Sequence, residues 1–387
     1  MNIVAWMKRS VIRERPVGRS SVGHPIHITP IPPPGGMPRI TLRFIQATCA
    51  IFLMVNLLGC TKAPPIYQQQ SYVFGTLVDV TIAGEEEARA KRLIGQVLAD
   101  FDRIHRTLHA WKPSDLSRLN AAFAQGEKSP ISPELTRIIR DAASLSAQSG
   151  GTFNPAIGKL IKLWGFQNDE FLPLRPDPLA LAELVKAAPG MGDIVVGEGY
   201  AYSKNPAVQL DLGGYAKGYA LDVAAAYLRA QGVKGALINI GGNILALGDR
   251  GGQPWRVGIQ HPRKPSAIAT LELGDGEAVG TSGDYQRYFE LDGKRYCHVI
   301  DPRSGYPVQG VQAVTVVIPP GRLAGTLSDV ASKPLFIAGA ADWRAAASRM
   351  GIERALLIDA QGEIYITAAL KKRLHFVEKG LLVHETP

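Results

Sequence analysis

At 387 residues, with 46% hydrophobic and 7% aromatic side chains, the chain can hold one large domain or two smaller ones, and its make-up is that of a globular protein. The formal charge of +9 sits mostly at one end: residues 1–59 carry Lys8, Arg9, Arg13, Arg15, Arg19, Arg39 and Arg43 against Glu14, which leaves about +3 for the body. So weak a basic balance gives the body no electrostatic footprint for nucleic acid, and that class of partner is excluded.

Residues 1–36, rich in Pro, Arg and Gly, read as an extension upstream of the true start, with Met37 the better initiator. Residues 37–59 read as an export signal, because Arg39 and Arg43 precede an apolar stretch from Ile45 to Leu58 that is short for a membrane span. The stretch ends Leu-Leu-Gly-Cys60, which resembles the lipobox of bacterial lipoproteins, whose cysteine is lipidated and becomes the mature N-terminus. The bland alternative is a core segment that happens to end in Cys. On the first reading, residues 60–70 are a tether, and the protein is an exported lipoprotein anchored to a membrane and facing the periplasm. Cys297 is then a lone thiol, and no disulfide framework exists.

Ser71 to Ile82 alternates as a strand, and Glu85 to Leu108 is an amphipathic helix with Leu93, Val97, Leu98, Phe101 and Ile104 inward. Trp111 to Asn120 is a loop entering a helical turn, with Ser114 as N-cap. Pro133 to Ser149 is a second long helix, stopped by Gly150-Gly151. Residues 167–192 form an outer connection with one short helix. Strands dominate from Ile194 to Leu210 and from Trp255 to Tyr296, and Asp301 to Gly305 has the residues of a type I turn. Val311 to Ile318 is a strand, Pro334 to Met350 is helical, and Ala355 to Ile366 is a closing hairpin. Strands and helices mix without strict alternation, which predicts an α+β fold. A domain over 71–370 with a C-terminal tail at 371–387 follows.

Asp211-Leu-Gly-Gly-Tyr-Ala-Lys-Gly218 organises the middle of the chain. An apolar run from Ala207 ends in paired glycines, and a helix-like pattern follows with Ala216, Ala220, Val223, Ala224, Tyr227 and Leu228 on one face. Gly235 to Leu247 then reads as a buried strand broken by Gly241-Gly242. A strand–glycine–helix connection offers free N–H groups and the positive end of a helix to an anion, and Lys217 adds a cation. A tight connection without a ligand fits these residues equally well. His298, with Asp284 across a predicted hairpin, has the composition of a general base and its orienter. A strand histidine satisfied by a carbonyl is the plainer reading. Asp329 suits either a hard-cation ligand or a helix start.

In order, these segments resemble one family, the bacterial FAD:protein FMN transferases of the ApbE type. The motifs that carry the resemblance are Gly-Gly-Thr-Phe-Asn-Pro155 with Leu-Trp-Gly-Phe166, Asp-Leu-Gly-Gly-Tyr-Ala-Lys-Gly218, Asn-Ile-Gly-Gly-Asn243, Thr-Ser-Gly-Asp-Tyr285 and His-Val-Ile-Asp-Pro-Arg-Ser-Gly-Tyr-Pro307. The resemblance implies mixed β-sheets flanked by helices in two interleaved lobes, with FAD bound between them as substrate. It implies that Asp211, Lys217 and the Thr152-Phe153-Asn154 segment contact FAD, that Ile300 lies beside the flavin nucleotide, and that Phe74 and Trp111 stand against the flavin. It further implies that Gly214, through its carbonyl, and Asp329 hold Mg²⁺, with His298 as base. Where the family usually has a metal-binding Thr, this chain has Lys333 followed by Pro334, which disfavours helix at Lys333 and predicts a late helix start. An ammonium cannot ligate a cation, so Lys333 either points at the pyrophosphate and partly replaces the metal charge, or turns to solvent while Asp329, Gly214, phosphate and water hold the ion. The implied reaction moves FMN from FAD to a Thr or Ser hydroxyl of an acceptor, a membrane redox subunit, with AMP leaving. FAD binding without transfer and FAD hydrolysis to FMN and AMP are the competing readings.

Overall fold

Nine strands that follow one another in the chain also stand side by side in that order in one sheet: β1 (Ile66–Val73), β2 (Thr76–Ala83), β3 (Gly235–Ile240), β4 (Asn243–Gly248), β5 (Ala278–Gly283), β6 (Val311–Ile318), β7 (Ala355–Asp359), β8 (Ile364–Thr367) and β9 (Val383–Thr386). Every neighbouring pair is antiparallel except β8 with β9. The computed structural model describes residues 64–386. The expected extension, the expected export signal and Cys60 lie outside the described residues.

The middle strands, β3 to β7, are buried along nearly their whole length because both faces of the sheet are covered there. On β6 all eight residues are buried: Val314, Val316 and Ile318 join one apolar cluster, and Ala313 and Val317 join another. Successive side chains on a strand point to opposite faces, so a doubly covered strand loses the polar–apolar alternation of a half-buried one. The helices are α1 (Glu87–Thr107), α2 (Asp115–Gln125), α3 (Pro133–Gln148), α4 (Gly158–Leu163), α5 (Pro178–Ala187), α6 (Ala216–Ala230), α7 (Ala324–Arg349) and α8 (Ala368–Lys371). The first cluster joins the sheet to α1, α2, α3, α6 and α7. The second packs against strands Trp255–Gln260, Ala267–Leu273 and Leu374–Phe376.

A third, smaller core gathers Ile157, Leu160, Trp164, Phe166, Leu181, Phe289 and Ile300. It brings α4 and α5, which precede β3, together with the hairpin Tyr288–Leu291/Lys294–Cys297, which lies between β5 and β6. The expected α+β class with interleaved parts is the observed one.

Several boundaries differ from expectation. The strand predicted over 71–82 is a hairpin, turned at Phe74-Gly75 with φ of 57° and 69°. Both residues lie in the left-handed region, which a two-residue hairpin turn of this hand requires and which Phe adopts rarely. The run 207–212 is not a strand. Its backbone is instead satisfied by distant segments: Asn120 Nδ2 donates to the Leu210 carbonyl (2.9 Å), Leu210 N donates to Asn120 Oδ1 (2.7 Å), and Asp211 N donates to the Pro155 carbonyl (2.8 Å). The tether and tail boundaries also move, because β1 starts at Ile66 and β9 pairs with β8 at the far edge. At 301–305 the turn closes by a longer bond, with Gly305 N donating to the Asp301 carbonyl (2.8 Å) and Gly305 at φ 76°.

The helix expected to start after Pro334 begins ten residues earlier, at Ala324, and loses helical geometry at Gly339 rather than at the proline. Its first turn is capped from outside. Asp222 on α6 accepts from Gly325 N (2.7 Å), Thr326 N (2.8 Å) and Thr326 Oγ1 (2.7 Å). That cap satisfies N–H groups a free helix start would leave bare, and burial pushes the Asp222 carboxyl up to about 6.

Candidate active site

The site is assembled where α6 crosses α7. Gly218 makes the crossing possible: a Cβ there would stand 2.4 Å from the Gly325 carbonyl and 2.6 Å from Thr326 Cα, both backbone atoms. The close approach brings Asp329 of α7 to the start of α6, where its Oδ2 accepts from Gly218 N (3.1 Å). Oδ1 accepts from Lys217 Nζ (3.3 Å) and Lys333 Nζ (2.8 Å), and Lys333 Nζ also donates to the Asp329 carbonyl (2.6 Å). The anion expected at the head of this helix is therefore an internal one. Burial alone would raise the Asp329 carboxyl, but the Lys217 and Lys333 ammonium groups and the Gly218 N–H outweigh it and hold it well below the usual carboxylate range. Burial pulls the Lys333 ammonium down, and Asp329 opposes that pull.

Gly214 and Asp329, the expected metal pair, both touch Lys333, and the donors there do not fit Mg²⁺. The Lys333 stem runs over Gly214, where a Cβ would stand 2.6 Å from Lys333 Cε. Each Asp329 carboxylate oxygen already has a protein donor. A dication 4 Å from a retained Lys333 ammonium would be repelled by roughly 8 kcal/mol at an effective dielectric of 20, twice the value for unit charges. Among the described residues, no group of three or more His, Cys, Asp or Glu could hold a metal ion.

His298 reaches the same cluster from a distant segment. Its Nδ1 lies 3.2 Å from the Arg287 carbonyl. A carbonyl only accepts, so Nδ1 carries the hydrogen and Nε2 keeps its lone pair. Burial, then the charges of Arg287, Lys217 and Lys333, push the imidazole down to about 3. The three cations that act on His298 include both partners of Asp329, which ties the glycine motif to the histidine motif.

The expected His298–Asp284 pairing is absent. Asp284 is taken by Arg263, with both guanidinium contacts at 2.6 Å, and Arg295 lies 3.7 Å away. The orienter of His298 is the Arg287 backbone. Phe166 flanks the imidazole edge to face, with centroids 6.5 Å apart, and Trp164 Nε1 donates to the Gly305 carbonyl (2.7 Å). These two contacts explain why the Leu-Trp-Gly-Phe166 motif accompanies the His298 motif.

Gln167, assigned from sequence to an outer connection, belongs to the site. Its Nε2 donates to Asp211 Oδ2 (3.0 Å), and its buried Oε1 has no protein partner. Asp211 Oδ1 accepts from Gly213 N (2.9 Å). The only sequence signal was position, directly after Phe166. Asn243 Nδ2, beside the Gly241-Gly242 turn, is likewise buried without a partner.

The other expected contacts divide. Phe74 and Trp111 end a strip of rings in which Phe74 meets His105 (5.5 Å), His105 meets His109 (5.1 Å) and His109 meets Trp111 (4.6 Å). Burial lowers both histidines, so this strip is neutral at pH 7. Arg287 lies against the Phe74-Gly75 turn, where a Gly75 Cβ would meet its Nη2 at 2.7 Å. Thr152 Oγ1 donates to the Ser149 carbonyl (2.9 Å), and Asn154 Nδ2 donates to the Pro189 carbonyl (2.8 Å), so both side chains fix their own loop. Phe153 is buried in the main core and Ile300 in the third, which leaves their backbones rather than their side chains to meet a ligand. Asp301 caps its turn, accepting from Arg303 N (2.9 Å). Cys297 is a buried free thiol pushed up to about 12 by burial, which makes it structural.

The chain is similar to a curated "FAD:protein FMN transferase" of Rhodobacter capsulatus, at 40% identity over 320 residues covering 83% of this chain. It spans 60% of the length of that relative. A Klebsiella pneumoniae protein of the same name is 35% identical over 253 residues, covering 63% of this chain and 72% of that one. The crystal structure of the apbe protein from Thermotoga maritima matches with a TM-score of 0.72 at 30% identity, covering 80% of this chain and 99% of that one. Since the model of the ApbE family matches residues 74–357, most of its length, the chain belongs to the ApbE family.

Proposed function

We propose that this protein transfers FMN from FAD to a Thr or Ser hydroxyl of an acceptor protein and releases AMP. The observation that carries this reading is the neutral His298, its Nε2 free to accept, in the field of Lys217, Lys333 and Arg287. In the reaction, the acceptor oxygen bonds to the flavin-side phosphorus. The pyrophosphate P–O bond breaks with its electron pair going to AMP, and the hydroxyl proton passes to His298 Nε2. Phosphoryl transfer needs charge neutralisation and positioning more than covalent chemistry, and the three cations supply the first. The ring strip ending in Phe74 and Trp111 faces the flavin, while Asp211 and Gln167 offer it polar contacts. Magnesium, expected from the resemblance, has no step here because the donors around Asp329 do not fit it.

The acceptor in this reading is a membrane redox subunit facing the periplasm, with the enzyme tethered through lipidated Cys60. Cys60→Ala is then expected to move the protein from the membrane to the soluble fraction, and a variant that stays membrane-bound counts against the anchor. No helix among the described residues is long and apolar enough to cross a membrane.

The test is incubation with FAD and a candidate acceptor, followed by mass spectrometry of the protein and of the released nucleotide. FMN on the acceptor with free AMP supports transfer. Free FMN with AMP indicates FAD hydrolysis, and unchanged bound FAD indicates a flavin carrier.

A further inference from the structure

We propose that Lys333 is a built-in cation that takes the place of a divalent ion, so that this chain binds the FAD pyrophosphate, and moves FMN, without divalent metal. The inference rests on the flavin reading above and concerns what neutralises the pyrophosphate.

The geometry carries it. Lys333 stands one helical turn after Asp329 on α7, so their side chains share a face, and the Asp329 contacts hold its ammonium in place. Its stem is clamped over Gly214, and the side chain is only 16% exposed, so the group does not sweep through solvent as a surface lysine does. An ammonium has three hydrogens. Lys333 gives two to Asp329, at the carbonyl and at Oδ1, and keeps one to donate. Lys217 gives two, to the Gly213 carbonyl and to Asp329 Oδ1, and also keeps one. Two spare N–H groups, on cations held by one carboxylate, are what a pyrophosphate needs from its partner. A resident magnesium would add waters and a rigid octahedral shell at the same spot.

Charge counting agrees. Lys217 and Lys333 share one carboxylate, Asp329, and Arg287 adds its charge beside His298, which leaves excess positive charge for a dianionic pyrophosphate even with Asp211 counted. Adding a dication would overshoot, and removing Lys333 would leave room for one. In the proposed step the bond made is acceptor oxygen to flavin-side phosphorus, and the bond broken is the pyrophosphate P–O. Lys333 donates to the phosphate oxygens throughout and exchanges no proton, while the hydroxyl proton goes to His298.

The experiment uses the complete protein, stripped with EDTA, and reads FAD binding by flavin fluorescence with and without Mg²⁺. Mn²⁺ binding is followed in parallel by electron paramagnetic resonance in the presence of FAD. FAD affinity that stays within about twofold in the two buffers, with no stoichiometric Mn²⁺ site, is the expected result. Lys333→Thr, which removes the charge and presents a hydroxyl, is expected to weaken FAD binding roughly 10- to 100-fold in EDTA. It should recover with Mg²⁺ and acquire one Mn²⁺ site, and Lys333→Met, of similar bulk, should show the loss without the recovery. Wild-type protein that binds FAD only with Mg²⁺, or takes up one Mn²⁺ with it, overturns the inference and leaves the flavin reading standing. Failure to bind FAD in either buffer overturns both.

Discussion

His298, the base of the proposed function, is also a structural liability. Its folded pKa of about 3 lies below the 6.5 of a free imidazole, so between those values the unfolded chain holds a proton that the folded chain refuses. Stability is therefore complete above about pH 6.5 and drains away as the pH falls toward 3. Melting curves of wild type and His298→Gln should run parallel above about pH 7 and diverge below it, with the wild type falling more steeply; parallel curves down to about pH 4 would sink this account. In the proposed function a pyrophosphate bound beside the ring would raise its proton affinity, moving a poor base toward a useful one. His298→Ala should lower transfer by about 10²- to 10⁴-fold while FAD affinity changes little. At this scale the sequence was legible where chemistry is written in residue type: it singled out Lys217, Asp329, Lys333 and His298, though not that both lysines would pair with Asp329. It was misleading for Asp284, whose partner Arg263 is set by tertiary packing, and silent on Gln167, an ordinary amide until Asp211 stands opposite it.

Between elements, the decisive contact is the α6–α7 crossing. The last glycine of the Asp211–Gly218 motif serves this crossing and not a phosphate, since its missing side chain lets the α7 backbone approach. Gly218→Ala places a methyl against two backbone atoms that cannot rotate away, so the helices must separate. A loss on the order of 2–4 kcal/mol is expected from such overpacking, read as a lower melting temperature. Because Asp329 bonds to Gly218 N, the same variant should weaken FAD binding even below its melt. A variant of unchanged stability would show that the crossing is looser than described. Helix α7 also shows why local rules gave the wrong boundary. Pro334 argues for a late start, but the cap from Asp222, more than a hundred residues away in sequence, stabilises the first turn and lets the helix begin at Ala324. The Phe74-Gly75 turn escaped notice for a related reason: its backbone demands residues such as Asn-Gly, and the chain supplies a phenylalanine that packs beside the ring strip.

For the whole molecule, the site depends on segments at 74–111, 152–167, 211–218, 287–300 and 329–333, each delivered by a different part of the sheet body or the third core. Periodicity revealed the helices and the doubly buried strands, because those patterns are local. The in-order sheet and the role of the C-terminus were not readable, since pairing partners are fixed only when both faces find their cover. The segment after Lys371 looked like a tail, yet it supplies β9, and Leu374–Phe376 closes the small sheet over the second cluster. Leu374 is buried there, and Arg373 grips Glu277 with contacts at 2.7 Å while Arg354 holds the same carboxylate at 2.8 Å. Deleting residues 372–386 should therefore uncover Leu271 and Leu370, break the Arg373–Glu277 pair and leave β8 as an open edge. At about 1.5–3 kcal/mol for each fully buried large apolar side chain, and less for partly covered Phe376, Leu381 and Val383, the loss is on the order of 3–6 kcal/mol. That predicts a fall in melting temperature of roughly 4–9 °C, with a greater tendency to aggregate. None of the residues gathered around Asp329 and His298 belongs to the deleted segment, so FAD affinity measured well below the new melt should stay within about twofold of wild type. A truncated protein that melts unchanged would show that the second cluster is closed without these strands. One that is stable but blind to FAD would tie the C-terminal strands to the site itself.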